Sequence, residues 1–252
     1  PAWIMWNLSL TGEVDQELRS LCESHLDTIQ KHWKPGEGIG SWVALYVPPD
    51  GDDTGLVFDV LRRFERDVDL DAIFYFEEEE YFRCFALEAN PSISTNIHIL
   101  GALKQAGMKK DHPAVQKILA FLRQKRVIDS FWFDKWHASP YYATSHAIIS
   151  CCEYDRDLAA SAIDWIVHTQ NQNGSWGFYM PTAEETAYCL QALCYWTRCN
   201  GQIYQECITK GALWLSEMSE MSHPPLWIGK CLYSPYLVVQ SAVTSALIMA
   251  GK

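Results

Sequence analysis

Two kinds of helical pattern alternate along the chain. Segments of the first kind are apolar on nearly every face, which predicts helices buried all round. Segments of the second kind keep one polar face, which predicts half-exposed helices. The predicted buried helices span 1–10, 54–63, 95–107, 144–152, 186–197 and 236–251. The predicted half-exposed helices span 14–33, 113–126, 158–170 and 204–217.

A repeat connects these segments. Threonines at positions 54, 95, 144 and 186 open four of the buried helices, and Trp42, Trp132 and Trp176 precede three of them by ten to twelve residues. Looser copies run from 81 to 95 and from 227 to 236. A period of about 40 residues fits a helix–loop–helix unit. We therefore predict an all-α (α/α)6 toroid of inner and outer helices, formed as one domain by residues 1–252. The inner helices run parallel in such a ring, so the residues that precede them meet at one mouth.

The sequence Asp50-Gly51-Asp52-Asp53-Thr54 lies at that mouth. Mutual repulsion and burial raise the pKa of at least one of three carboxyls this close together, so one of them stays protonated near neutral pH. Such a carboxyl is a candidate proton donor. The alternative is a helix N-cap in which acids are favoured by the helix dipole. A calcium loop of the EF-hand type does not fit, because its ligand at position 12 is absent.

Aromatic residues crowd positions 131–142. The candidates for a binding surface are Trp132, Trp136, Tyr141 and Tyr142. Ring faces attract a cation by roughly 0.5–2 kcal/mol each. The alternative is core packing. A further pattern, Gln170-x-x-x-Gly174-x-Trp176, predicts a tight turn whose tryptophan packs back on a helix end and ties outer helices together.

Composition narrows the function classes. The chain carries 20 Lys and Arg against 31 Asp and Glu, a net charge of −11. That charge argues against nucleic acid or an anionic membrane as the main partner. The nine cysteines form no C-x-x-C pair and predict buried free thiols in a reducing compartment. No apolar stretch is long enough to span a bilayer, so we expect a cytoplasmic protein that is not integral to a membrane. The chain opens inside a helix-like segment at Pro1, and we expect it to continue upstream.

The D-x-D-D-T and Q-x-x-x-G-x-W motifs together resemble those of class II terpene cyclases, specifically bacterial copalyl diphosphate synthase-type diterpene cyclases, relatives of squalene–hopene cyclase. Segments 90–98, 134–144, 184–188 and 229–235 extend the resemblance over nearly the whole chain. It implies that Asp52 is the general acid that protonates the terminal alkene of a linear isoprenoid diphosphate. Asp50 and Asp53 would hold and polarise Asp52, while Asn96 and His98 would bond the acid or line the pocket.

The resemblance also implies a substrate and a product. Geranylgeranyl diphosphate fits best, and it would become a bicyclic labdane-type diphosphate such as copalyl diphosphate. Cyclisation would pass through carbocations stabilised by the aromatic lining, and the diphosphate would be retained. No D-D-x-x-D motif is present, which argues against ionisation of the diphosphate by a metal cluster.

The chain departs from a complete enzyme of this family. The family's active site lies between a β domain and a γ domain, and this chain resembles most of a β domain alone. We therefore expect Mg²⁺ to act through the substrate diphosphate with residues outside this chain, and we expect no metal ligands within it.

Three alternatives remain open at this stage. An (α/α)6 glycoside hydrolase would use two carboxylates, for which Asp52 and either Glu184 or Glu185 are candidates. A protein prenyltransferase β-like subunit would need a zinc site of Asp, Cys and His, and the sequence shows no such ligand spacing. A catalytically silent scaffold domain would bind a ligand without turnover.

Overall fold

The chain is almost entirely helical in the computed structural model, which describes residues 1–12, 14–40, 47–218 and 223–251. The helices are α1 (Ala2–Ser9), α2 (Gln16–His32), α3 (Gly51–Arg63), α4 (Asp71–Phe74), α5 (Ile93–Gln105), α6 (Pro113–Lys125), α7 (Pro140–Cys151), α8 (Arg156–His168), α9 (Ala183–Asn200), α10 (Gln205–Met218) and α11 (Tyr236–Met249). Strands β1 (Trp227–Ile228) and β2 (Leu232–Tyr233) pair antiparallel. All ten predicted helices are present, and the all-α class is confirmed.

The predicted inner helices α3, α5, α7 and α9 begin two to four residues before the repeated threonines. Each begins where a polar side chain caps the first turn, because the first backbone N–H groups of a helix need an outside acceptor. The caps are Asp50, Ser92, Ser139 and Thr182, which accept from the backbone N–H of Asp53, Thr95, Tyr141 and Glu185 respectively. The short helix α4 was not predicted from the sequence. Residues 77–80 form a loop that is closed by an isolated bridge between Glu77 and Phe82.

Three of the four repeated threonines have a common task. In each repeat, one side chain in the first turn of the inner helix accepts a hydrogen bond from a backbone N–H of the preceding loop and donates one to the same residue's carbonyl. The pairs are Thr54 with Ile39, Asn96 with Phe82, Thr144 with Trp132, and Thr186 with Trp176. In the second repeat Asn96, not Thr95, is thus the clamping residue. Trp42, which the sequence assigned to the first repeat, lies outside the described residues.

The chain divides into two compact units, and the first spans Pro1–Gln124. Its centre is the pair α3 and α5, whose N-terminal ends lie together. Gly55 allows this close approach, because a Cβ on it would lie 2.9 Å from the backbone nitrogen of Ile99. Helix α1 is joined to α3 by Trp6, whose indole N–H donates to the buried carboxylate of Asp59 at 2.9 Å.

The second unit spans Lys125–Lys252 and packs α9 against α7, α10 and α11. The Q-x-x-x-G-x-W segment clamps its outer helices. The Gln170 amide donates to the carbonyl oxygens of Gly174 and Cys207, and the Trp176 indole donates to Ile166 on α8. Gly174 has φ +93°, and a Cβ there would meet the Lys210 carbonyl oxygen at 2.5 Å, so the turn requires glycine. The assignment of 1–252 to a single domain stays a prediction.

Two further expectations concern the burial of the cysteines and helices that could cross a membrane. All nine cysteines are free, but the expectation that they are buried is wrong for Cys199 and Cys231, which are exposed, while Cys194 is intermediate. Cys199 lies at the end of α9 and Cys231 lies in the loop between β1 and β2, and these positions leave both thiols at the surface. Among the helices of the described ranges, none combines the length and hydropathy that crossing a bilayer requires.

Candidate active site

Three carboxyls meet at the N-terminal end of α3 in the first unit. Asp50 caps the helix, and Asp52 and Asp53 follow in its first turn. The N-terminal turn of α5 lies opposite, because Gly55 lets the two helices pack closely. This packing sets the hydroxyls and the imidazole of α5 against the carboxyls of α3.

Three side chains of α5 converge on one oxygen of Asp52. The hydroxyls of Ser94 and Thr95 donate to Oδ1 at 3.1 and 3.2 Å, and His98 Nδ1 lies 3.0 Å from the same atom. Among the described residues, Oδ2 of Asp52 makes no hydrogen bond. The Asp52 side chain keeps 23% of its surface exposed, whereas His98 keeps 3%. Asp52 therefore has one oxygen that is fixed and one that is open.

The three carboxyls differ in acidity. Burial acts to raise the pKa of Asp52, but the charge and hydrogen bond of His98, with the Ser94 and Thr95 hydroxyls, outweigh it and hold that pKa below its usual value. Burial and the nearby charge of Asp53 raise the pKa of Asp50 to about 9. Burial and the charge of Asp52 raise the pKa of Asp53 to about 6.

These environments give the three carboxyls different protonation states near neutral pH. Asp50 has the highest pKa and favours the protonated form, Asp53 with its pKa of about 6 is the next to bind a proton, and Asp52 with its lowered pKa favours the ionised form. The expectation that at least one carboxyl stays protonated agrees with these raised values, but the proton is held most tightly by Asp50 rather than by Asp52. Oδ1 of Asp50 also accepts a hydrogen bond from the Asp53 backbone N–H at 2.8 Å. Asp50 therefore both caps the helix and favours binding a proton.

The two residues that the sequence assigned beside the acid have different surroundings. His98 contacts Asp52 directly, and the indole of Trp3 meets its ring edge-on with centroids 5.0 Å apart. Asn96 bonds only backbone groups among its recorded partners, those of Phe82 and Ser92. Sequence reasoning missed Ser94 and Thr95 as partners of Asp52. The signal that points to them is their position in the first turn of the helix that follows the acid motif.

The predicted aromatic residues lie in the second unit and have four different surroundings. Trp132 is 1% exposed, and its backbone N–H donates to Thr144. Trp136 is half-buried, with the Lys135 ammonium 5.1 Å from its ring centroid. Tyr141 and Tyr142 are both buried but point apart, Tyr141 against Trp165 and Tyr142 stacked on His137 with centroids 4.6 Å apart.

A second polar cluster surrounds Glu184, which is fully buried at the start of α9. Its Oε1 lies 2.7 Å from the Trp227 indole nitrogen, 3.1 Å from the Tyr188 hydroxyl and 3.2 Å from His137 Nε2. Within the described part of the chain, Oε2 of Glu184 has no hydrogen-bond partner. The neighbouring Glu185 accepts from the hydroxyls of Ser139 and Thr182. From the sequence, these two glutamates were considered only as candidate catalytic carboxylates of a glycoside hydrolase.

The described residues do not fit a magnesium site. Mg²⁺ prefers several carboxylate or water oxygens in octahedral geometry. Here Asp50 holds a proton and Asp52 is committed to three donors on α5. The one group of three converging ligand side chains found in the described ranges contains two thiols, which are soft donors.

Comparison with known proteins identifies the family. A family model described as the squalene–hopene cyclase C-terminal domain matches residues 69–222, a segment that begins after the acid motif. A type B diterpene cyclase of Mycobacterium tuberculosis is 45% identical over 250 residues, covering 97% of this chain and 50% of that protein. An ent-copalyl diphosphate synthase of a Streptomyces species is 36% identical over 211 residues, covering 80% of this chain and 41% of that protein.

A solved structure agrees with these matches. The structure of ent-copalyl diphosphate synthase from Streptomyces platensis superposes with a TM-score of 0.85 at 32% identity, over 100% of this chain and 50% of that one. The likeness confirms the predicted (α/α)-barrel class of fold. The chain spans about half the length of these relatives. From the family model, the two relatives and the shared fold, we conclude that the chain belongs to the class II terpene cyclases, the family of squalene–hopene cyclase and the bacterial copalyl diphosphate synthases.

Proposed function

We propose that the protein cyclises a linear isoprenoid diphosphate by protonating its terminal alkene, with Asp52 as the general acid. One observation carries the proposal: three donors of α5 bind a single oxygen of Asp52 and leave the other oxygen open. An alkene is a very weak base, so its proton donor must be a strong acid. Hydrogen bonds that stabilise the carboxylate form make the protonated form a stronger acid.

The other two carboxyls supply the proton. Asp50 and Asp53 have raised pKa values and lie within the same helical turn as Asp52. A proton passed to Oδ2 of Asp52 is then delivered to the alkene carbon, whose π pair forms the new C–H bond. The tertiary carbocation left behind is attacked by the next double bond, which closes a ring. Loss of a proton, or capture of water, ends the sequence while the C–O bond to the diphosphate stays intact.

The substrate that we propose is geranylgeranyl diphosphate, and the product is a bicyclic labdane-type diphosphate such as copalyl diphosphate. The names of the relatives, a diterpene cyclase and an ent-copalyl diphosphate synthase, support a C20 substrate. Trp132, Trp136, Tyr141 and Tyr142 are proposed to supply ring faces for the carbocations. Mg²⁺ would arrive bound to the diphosphate, and a γ-type domain would complete the site. Free cysteines support a reducing, cytoplasmic location.

The test is product analysis with the longest protein that contains this chain. The protein is incubated with geranylgeranyl diphosphate and Mg²⁺, the products are dephosphorylated, and the alcohols are identified by mass spectrometry. We expect a bicyclic alcohol from the parent protein and a loss of about 10²–10⁴-fold in its rate of formation for Asp52→Asn. The matched control is Asp111→Asn, an exposed carboxyl outside the cluster, which should keep the full rate.

Two results would contradict the proposal. If Asp52→Asn forms the bicyclic product at the parent rate, then Asp52 is not the acid. If the folded parent protein binds the diphosphate and returns it unchanged, the chain is a binding domain, which is the scaffold alternative. The family assignment already decides against the hydrolase and the prenyltransferase.

A further inference from the structure

We propose that Cys152, Glu153 and Cys199 form a binding site for a thiophilic divalent cation such as Zn²⁺. The site lies in the second unit, where Cys152 caps the C-terminal end of α7 and Cys199 lies in the last turn of α9. The cyclisation proposed above does not use any of these residues. The proposal concerns a second site and stands or falls independently of the acid chemistry.

The ligand atoms are already close together. The two sulfurs and a carboxylate oxygen of Glu153 all lie within 4.8 Å of one another, and Cys199 Sγ is 3.9 Å from Glu153 Oε1. Zinc–sulfur bonds of about 2.3 Å and zinc–oxygen bonds of about 2.0–2.2 Å place tetrahedral ligand atoms roughly 3.5–3.8 Å apart. Small side-chain rotations therefore suffice to close the three ligands on one ion, and water or a further ligand would take the fourth position.

The local electrostatics favour a cation. Both α7 and α9 end at the site, and the C-terminal end of a helix carries partial negative charge. Glu153 adds a full negative charge, and the Tyr195 hydroxyl orients its carboxylate by donating to Oε1 at 3.0 Å. The guanidinium of Arg198 lies over the Tyr195 ring, 5.5 Å from its centroid. Exposed Cys199 and Glu153 give the ion a path from solvent.

A metal here would complete a pairing of two parallel helices. At their N-terminal ends, α7 and α9 are joined by the hydrogen bond from Ser139 to Glu185. At their C-terminal ends, Tyr195 and Glu153 form the corresponding link. An ion bound by Cys152 and Cys199 would add a metal clip to this link between the helices. Because it would bind the folded chain only, it would stabilise that state by mass action.

The test is a Co²⁺ titration of the fully reduced protein, since Co²⁺ replaces Zn²⁺ in thiolate sites and reports sulfur ligation by near-ultraviolet charge-transfer absorption. We expect one equivalent of Co²⁺ to give this absorption and Zn²⁺ to abolish it. Cys152→Ser and Cys199→Ser should each weaken Co²⁺ binding at least tenfold, and Glu153→Gln should weaken it while keeping the absorption. Cys231→Ser, which removes an exposed thiol elsewhere, is the matched control and should bind as the parent does.

Circular dichroism of each variant keeps the test interpretable, because serine differs from cysteine by one atom and should leave the helices intact. Three results would overturn the proposal. The first is a reduced protein that shows no charge-transfer absorption with Co²⁺. The second is full binding by folded Cys199→Ser. The third is a disulfide between Cys152 and Cys199 in protein isolated without reductant, found as a mass deficit of two hydrogens that reductant reverses.

Discussion

Replacing Asp53 with Asn should make the folded chain more stable at pH 8 and, at the same time, slow the proposed cyclisation. Asp53 interacts with both Asp50 and Asp52 in a mostly buried cluster, and burial together with the charge of Asp52 raises its pKa to about 6. An aspartate in the unfolded chain has a pKa near 3.9. The folded state therefore binds this proton more tightly than the unfolded state does.

The sign of the effect on stability follows from that difference. Because the folded pKa lies above the unfolded one, the stability that the proton confers is fully present below about pH 4 and is lost as the pH rises through 6. A difference of about two pKa units corresponds to ~3 kcal/mol at 1.36 kcal/mol per unit. Ionised Asp53 thus lowers the free energy of unfolding by up to that amount at pH 8, and neutral Asn removes the penalty. For a chain of this size, each kcal/mol shifts the melting temperature by about 2–4 °C.

The assay is thermal unfolding followed by circular dichroism at pH 4.5, 6 and 8, on the protein and on Asp53→Asn. We expect a gain in melting temperature of up to ~6–12 °C at pH 8 that shrinks towards zero at pH 4.5. Asp111→Asn, an exposed substitution of the same kind, should show no pH-dependent difference. An equal shift at all three pH values, or a loss of stability at pH 8, would refute the electrostatic reasoning. A gain in stability that accompanies a slower reaction is typical of a residue kept for function.

Other substitutions test the remaining contacts. Glu184→Ala should lower the free energy of unfolding in urea by about 3–5 kcal/mol, because three buried donors lose their acceptor. Glu184→Gln keeps an acceptor oxygen and should lower it clearly less. Asp59→Ala should also cost about 3 kcal/mol or more, because this buried carboxylate binds an indole and a guanidinium. Glu206→Ala, in an exposed ion pair, should leave the free energy of unfolding almost unchanged. Gly55→Ala should lower both stability, by about 1–3 kcal/mol, and the rate of cyclisation, because a Cβ pushes α3 away from the α5 backbone at His98.

The sequence predicted the helices well because the repeat leaves local signals at the starts of α3, α5, α7 and α9. A polar cap, an apolar run and a loop of similar length recur four times, and each of these signals depends on a few adjacent residues. Local signals do not specify which neighbour each side chain in the first turn of a helix contacts. Tyr141 and Tyr142 are adjacent in the sequence, yet they point to different partners, Trp165 and His137. Likewise, Cys152 and Cys199 are brought together only by the packing of α7 beside α9.

The register of the repeat explains where the chemistry lies. Counted from the side chain that clamps each loop (Thr54, Asn96, Thr144 or Thr186), the residue two positions earlier is Asp52, Ser94, Tyr142 or Glu184. In the first unit, this position supplies both the candidate acid and one of its donors, since Ser94 binds Asp52. In the second unit, it supplies a buried carboxylate and a ring that both contact His137.

Asn96 was expected to bond the acid or line the pocket, and that role stays a prediction. By this register it also occupies the clamp position, equivalent to the three threonines. One position in the repeat therefore holds the loop, and the position two residues before it takes no part in that clamp. The clamp must accept and donate a hydrogen bond at once, which restricts it to a hydroxyl or an amide. The other position carries no such requirement, and in this chain it holds an aspartate, a serine, a tyrosine and a glutamate.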